Sequence, residues 1–320
     1  MSKALTSKSI GQFLLDNAIT IVLLLLVAVF VYNDPSFLSL VNLTNILSQA
    51  STNVIIALGV AGLIVTQGTD LSAGRMVGLS AVVAASLLQS PDNVSRMYQH
   101  LPGILANQYI IVALIVACII TAFLGFLNGF VIAKLKVTPF ITTLGSMIII
   151  YGLSSMYVDR EPMGAQPIGG LATHYTEFAQ GGFRIGSLMV PYLVIYATAV
   201  TIFMWILWNK TRFGKNLFAV GGNPEAAAVS GVNITKTLLI VYTLAGALYG
   251  FAGTLEAARV GSATNNTGNM YELDAIAACV VGGVSFSGGV AKISGVVIGA
   301  LMFQVISYSL NFSGVSPYWQ

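Results

Sequence analysis

Charge is the scarcest resource in this sequence. Of 320 residues, 8% are Asp, Glu, Lys or Arg, against roughly 25% in soluble domains. Fourteen basic and 11 acidic side chains cannot cover a water-soluble globule of this length. Soluble enzymes and soluble binding modules are therefore excluded. Histidine and cysteine are almost as rare, at two each. His100 and His174 lie far apart with no second ligand at metal spacing, so no zinc site is expected. Cys118 and Cys279 both sit in apolar stretches, where a free thiol packs as a small hydrophobe. No GxxxxGK[ST] phosphate loop occurs, which excludes an ATPase in the same chain.

What is present is apolar. Hydrophobic residues make up 56% of the chain and the mean hydropathy is +0.84, as in an integral membrane protein. The net charge of +3 reflects the placement of cations in loops and implies no nucleic-acid partner.

A membrane-spanning helix needs about 20 mostly apolar residues. That ruler marks Ala18–Tyr32, Leu43–Thr66, Met76–Gln89, Tyr109–Ala133, Pro139–Val158, Leu188–Trp208, Thr237–Ala257, Leu273–Val284 and Ile293–Leu310, nine spans of an all-α polytopic bundle. The first is read as a retained span, because Asn33-Asp34-Pro35 offers no small-residue cleavage site. The third and eighth are short and border Gly-rich turns at 67–74 and 282–289, so interrupted helices are expected near 68–89 and 273–289. With the N-terminus inside, Lys3, Lys8, Arg75, Lys134, Lys136, Lys210, Arg212, Lys215, Lys236 and Lys292 fall on the cytoplasmic side. Arg96, Arg160, Arg184 and Arg259 fall outside, and ten against four satisfies the positive-inside rule. The long outer loops are 90–108 and 159–187, and the long inner loop is 209–236.

The inner loop is the most informative segment. Lys210, Arg212 and Lys215 follow Trp205 and Trp208, the usual aromatic and basic anchor at an interface. Then Asn223-Pro224-Glu225-Ala226-Ala227-Ala228-Val229-Ser230-Gly231 supplies an N-cap, a first-turn Pro, an acid for the positive helix end, strong helix formers and a terminating Gly. A helix this short is marginal in water without a partner. It is either a protein-contact helix or a well-capped connection.

Four segments carry a resemblance. They are Thr211-Arg212-Phe213-Gly214-Lys215-Asn216 with the Gly221–Ala227 run, Thr138–Gly145, Gly68–Gly74, and Glu272–Ala278 leading into Gly282-Gly283. In that combination the chain resembles the permease subunits of bacterial ABC importers for monosaccharides, the ribose, xylose and galactose branch. Ala57–Asp70 and Arg259–Asn266 make it most similar to permeases of the galactose/methyl-galactoside type. The resemblance implies a single permease domain over 1–320, acting as a homodimer in the bacterial inner membrane. It implies a cytoplasmic ABC ATPase carrying ATP and magnesium, a periplasmic sugar-binding protein, and no cofactor or catalysis in this chain. It also implies that the helix of the inner loop couples to the ATPase, through Asn223, Pro224, Glu225, Ala226, Ala227, Ser230 and Gly231. Relatives of this type carry ten spans, so a further apolar span and a basic tail are expected beyond the segment matching Ser316–Gln320.

A sugar crossing a bilayer exchanges water hydrogen bonds for others or moves along a hydrated path. Intramembrane polar residues are therefore the candidates for that path: Asn45 and Gln49 one turn apart, Asn128 with Thr121, and Asn265 with Asn266. The competing role for each is an interhelical hydrogen bond. Asp70 is expected to pair with Arg75, and Glu256 with Arg259 three residues on. Gly246 and Gly250 mark a close helix contact. A secondary transporter would want intramembrane acids for ion coupling, which the span interiors nearly lack. A membrane enzyme would want a convergent catalytic constellation, and none is visible. A channel leaves the short inner helix unexplained.

Overall fold

The computed structural model describes residues 17–94, 96–98, 109–159, 164, 166–186, 188–316 and 319. Lys3, Lys8, His100 and Arg160 lie outside the described residues. In chain order the helices are α1 (Ala18–Asn33), α2 (Leu40–Val65), α3 (Ala73–Leu87), α4 (Ile110–Leu135), α5 (Pro139–Val158) and α6 (Thr173–Gln180). A hairpin of β1 (Gly182–Ile185) and β2 (Leu188–Pro191) follows. After it come α7 (Tyr192–Lys210), α8 (Arg212–Gly222), α9 (Pro224–Val229), α10 (Ile234–Val260), α11 (Tyr271–Val281) and α12 (Ile293–Phe312).

The all-α membrane bundle expected from composition is what forms. Among the described residues, six helices, α2, α4, α5, α7, α10 and α12, are long and apolar enough to cross a membrane, and α3 is a shorter apolar helix. The sixth span starts later than expected: Leu188–Pro191 pairs with Gly182–Ile185 as a strand, and the helix begins at Tyr192.

Burial sorts the helices by their solvent. The apolar stretch of α2 is 83% buried inside the bundle, whereas those of α4, α5 and α7 are 22% buried. On α4 the exposed residues Ile111, Ile115, Ile119 and Phe123 recur every four positions, an outward apolar stripe that suits hydrocarbon and not water. Between helices there is little hydrophobic drive in lipid, so close approach and van der Waals contact hold the bundle. Gly246 and Gly250 of α10 supply that approach: a β-carbon at either position would overlap Thr121 of α4. Thr121 is buried and donates to the Ala117 carbonyl at 2.9 Å.

The bundle has two distinct ends. At one, Gln67 donates to the carbonyls of Gly221 and Ser287 at 2.8 and 3.0 Å, and Gly289 N–H donates to Val65 O at 2.9 Å. That gathers the α2 terminus, the α8–α9 loop and the 282–292 turn. At the other, Ala172 N–H donates to Leu88 O and the 168 and 263 backbones bridge. That gathers the end of α3, α6, the hairpin and the end of α10.

Two helices are incomplete crossings. The chain leaves α2 at the first end and re-enters as a non-helical stretch, 66–72, before α3 carries it to the other end. From the opposite end, 261–270 runs inward without helix, and then α11 returns the chain through 11 residues. The short third and eighth spans were expected, and so was the irregular chain around 68–74. The stretch before α11 adds a second unwound segment beyond the expected Gly282–Gly289 turn.

Candidate functional site

The two half-helices meet at their N-termini. A β-carbon on Gly74, in the first turn of α3, would overlap both the Glu272 carboxylate of α11 and the Gly268 carbonyl. Only a glycine permits that approach. Glu272 is buried, and among the described residues its Oε2 accepts no hydrogen bond. It lies in the first turn of α11 and against the first turn of α3, where the positive ends of two helix dipoles offset part of the cost of burying an acid.

The first unwound stretch is fixed by side chains of other helices. Asp70 is buried and its carboxylate accepts from the backbone and hydroxyl of Ser72. The Asn128 amide donates to Ser72 Oγ at 3.0 Å and accepts from Ser146 of α5. Leu71 N–H donates to Thr143 Oγ1 at 3.1 Å. The Tyr249 hydroxyl of α10 faces the Asp70 carboxylate without reaching hydrogen-bond geometry. The expected Asp70–Arg75 pair does not form, because Asp70 turns back onto Ser72 while Arg75 points to the other unwound stretch.

Arg75 also does not lie at the inner face where alternation of spans put it. Its guanidinium donates to the Asn265 carbonyl at 3.4 Å and to the Asn269 amide oxygen, and lies 4.4 Å from the centre of the Tyr151 ring. Tyr151 stands 12 residues along α5 from Pro139, about 18 Å at the helical rise. That is near the middle of a hydrocarbon layer about 30 Å thick.

The second unwound stretch is held at its two flanks by one acid. Glu256 is buried and accepts from Thr52 of α2 at 3.2 Å, from Arg259 at 2.6 and 3.0 Å, and from the Tyr271 hydroxyl at 3.0 Å. The Glu256–Arg259 pair is therefore as expected from their spacing.

The candidate path residues fall in three places. Asn45 is exposed on α2 near Arg184 and Met189 of the hairpin, around a shallow groove. Gln49 accepts from Gln304 of α12 at 2.6 Å, and Gln304 accepts from Asn53 at 2.8 Å, an amide ladder between α2 and α12. Asn128 is committed on both sides of its amide within the core. Asn265 donates to Ser155 of α5 at 3.2 Å, and its neighbour Asn266 is exposed. Asn265 meets Arg75, which also holds Asn269 and lies against Tyr151, three residues that sequence reasoning passed over as path candidates, and the exposed Asn266 belongs to the same stretch. Arg75 carried a signal: a cation in the first turn of a short apolar helix opposes the helix dipole and calls for acceptors elsewhere. Tyr151 carried none, being one aromatic in an apolar span.

At the other end of the site lies the α8–α9 loop. Thr211 accepts from Gly214 N–H at 3.3 Å and starts α8, whose Gly214, Leu217, Val220 and Gly221 are buried while Arg212 and Lys215 are exposed. Spacing at i, i+3 and i+6 is an amphipathic helix lying on the bundle, where the sequence suggested only an anchor. Lys210 sits 5.3 Å from the Trp205 ring centre, which is that anchor. Asn223 Oδ1 accepts from Ala226 N–H at 2.9 Å to start α9, and Gly231 at φ +84° ends the turn in the left-handed region. The helix is Pro224–Val229, shorter than the Asn223–Gly231 run, whose outer residues are its caps. Ala227 alone of its six residues is buried, and Val229 is 92% exposed.

Among the described residues no cluster of three or more His, Cys, Asp or Glu is placed to hold a metal. Cys279 donates to Ala57 O at 3.2 Å, and Cys118 is half-buried.

A multi-pass bundle with two half-helices meeting at mid-depth is the construction of a membrane transport protein. The chain belongs to the permease family described as branched-chain amino acid transport system / permease component, which it matches over residues 42–320. It is 57% identical over 317 residues to the galactose/methyl galactoside import permease protein of Escherichia coli strain K12, covering 99% of this chain and 93% of that one. The protein of that description from Haemophilus influenzae is 55% identical over the same shares. The ribose import permease protein of E. coli strain K12 is 38% identical over 311 residues, 96% of this chain and 89% of that one. No solved structure matches the chain.

Proposed function

We propose that this chain, as one permease domain over 1–320, is the membrane-spanning subunit of an ATP-driven, binding-protein-dependent importer that carries galactose or a methyl galactoside across the bacterial inner membrane. Two copies form the translocating unit in the lipid. A separate cytoplasmic ABC ATPase binds and hydrolyses ATP with magnesium, and a periplasmic sugar-binding protein delivers the sugar to the hairpin end, loop 159–187 included. The N-terminus is cytoplasmic, as is the α8–α9 loop. The relatives named for galactose/methyl galactoside import support the substrate, and those named for ribose import keep ribose as the second choice.

The observation that carries the coupling role is α9 itself. A helix of six residues does not persist in water on its own propensity. This one is capped at both ends yet buries only Ala227, while Val229 stands 92% exposed beside Pro224, Glu225 and Ala226. Such a helix presents a small apolar knob with an acid at its positive end, a shape suited to a groove on the ATPase. Ser230 and Gly231 close the turn that holds it out from the bundle. Closure of the ATPase dimer on ATP pushes this knob, and α8, lying on α7 and α10, passes the movement to the spans.

The test is ATP hydrolysis by the chain assembled with the ATPase in lipid discs. Galactose-loaded binding protein is expected to stimulate it, and ribose- or xylose-loaded receptors to stimulate it less. Val229→Ser, at an exposed position, is expected to change folding stability by no more than about 0.5 kcal/mol and to abolish most of the stimulation. Stimulation by the ribose receptor alone would transfer the substrate, and unchanged coupling in Val229→Ser would remove α9 from the mechanism.

A further inference from the structure

Three features of the mid-depth surface remain outside that account: a cation, an open aromatic ring and two exposed amides. Among the described residues Arg75 forms no ion pair, although its charge acts on the nearby Glu272 carboxylate. The guanidinium is half-buried and rests instead on neutral acceptors, the Asn265 carbonyl and the Asn269 amide, and on the Tyr151 ring. Tyr151 is 42% exposed, and Asn266 and Asn269 are exposed. A cation and two exposed amides, one of them already accepting from that cation, would cost several kcal/mol facing hydrocarbon at this depth. Intramembrane charges instead face a water-filled cavity or the interior of a bundle, and the exposure of Tyr151, Asn266 and Asn269 favours the first.

We propose that Arg75, Tyr151, Asn266 and Asn269 form the mid-membrane contact for the sugar in transit. This deepens the monosaccharide-permease reading and rests on it. The chemistry fits a neutral pyranose. The guanidinium offers planar N–H donors to vicinal hydroxyls, the amides offer donor and acceptor together, and the open part of the phenol ring takes the C–H face of the sugar. The guanidinium also steadies the ring from one side by a cation–π contact. Nothing here clamps the ligand, since one ring and a few hydrogen bonds hold it weakly enough to leave, which conduction requires. Because Asn266 and Asn269 belong to the unwound stretch 261–270, and Tyr151 to α5, a movement of one against the other opens or closes the contact.

The experiment uses the full complex with its ATPase and galactose-loaded receptor in proteoliposomes, reading sugar uptake and ATP hydrolysis together. Tyr151→Ala and Asn269→Ala are expected to lower galactose taken up per ATP hydrolysed about tenfold, the equivalent of one lost contact of about 1.4 kcal/mol. Receptor-stimulated hydrolysis should stay near the parental rate, and Tyr151→Phe should restore uptake. Unchanged uptake, or uptake and hydrolysis falling in equal proportion, would overturn the assignment. A second measurement reads hydration directly: Asn269→Cys is expected to react with a charged, membrane-impermeant methanethiosulfonate much faster than the parent, which has only Cys118 and Cys279. Labelling no faster than the parent would mean that the surface is sealed by lipid or by a second copy, and would overturn the proposal. Failure of the permease reading would show separately, as absence of receptor-stimulated hydrolysis in the parental complex.

Discussion

The two unwound stretches, 66–72 and 261–270, leave helical geometry at corresponding points and are held in opposite ways. The first is buried where it enters α3: Leu71 and Ser72 receive or give hydrogen bonds to Thr143, Asn128 and Asp70, and Asp70 and Ser72 are buried. The second is held at its flanks, where Glu256 accepts from Arg259 before it and Tyr271 after it, and between them by Ser155 and Arg75, yet Asn266 and Asn269 stay exposed. Backbone without helix at membrane depth is tolerated only inside protein or beside water. The first stretch takes the former solution and the second the latter. One is therefore a fixed post, and on the proposal above the other is a wall of the path.

The contact between them is the place where the comparison breaks most easily. Gly74→Ala puts a methyl into the Gly268 carbonyl and the Glu272 carboxylate. Backbone on one side and a buried acid on the other leave no soft neighbour to yield, so a loss of about 3 kcal/mol is expected, at the upper end of overpacking costs. Thermal unfolding in one fixed detergent measures it. A stability unchanged by the methyl would mean that the half-helices are not in contact at their N-termini.

Asn128→Leu tests the fixed post. Removing the amide takes a donor from the buried Ser72 Oγ, which still donates to Asp70, and the acceptor from the half-buried Ser146 hydroxyl, and losing those two bonds costs about 2 kcal/mol. The same measurement reads it, and an effect under about 0.5 kcal/mol would place Asn128 among dispensable surface groups.

How much of this was readable in the sequence follows the same division. Hydropathy marks the six described helices long enough to cross at close to their observed ranges, apart from the later start of α7, because lipid demands continuous apolar runs. The capped α9 was legible from Asn223, Pro224 and Gly231, since caps are local chemistry. Arg75 was misassigned because alternation treats every span end as a membrane surface, and a half-helix starts in the middle. The Asp70–Arg75 pair failed for a related reason: a five-residue separation says nothing once the chain between them is not helical. Asn265 looked polar in sequence, but its partners Ser155 and Arg75 lie 110 or more positions away, and only the tertiary contact of α5 and α3 with the unwound stretch assembles them.

The smallest effect on stability is expected where the effect on transport is expected to be specific. Asn266 is exposed, and its ties are through its backbone, N–H to Thr264 Oγ1 at 3.2 Å and carbonyl from Asn269 N–H at 3.1 Å, which any residue would keep. Asn266→Ala should therefore change unfolding by less than about 0.5 kcal/mol. On a surface that meets lipid, trading an amide for a methyl would favour the folded chain and leave uptake alone. On a surface that meets a passing sugar, it removes a donor and an acceptor from the path and slows uptake without touching the fold. Stability near the parental value with reduced uptake thus separates the wall from the post, where Asn128→Leu should lower both together.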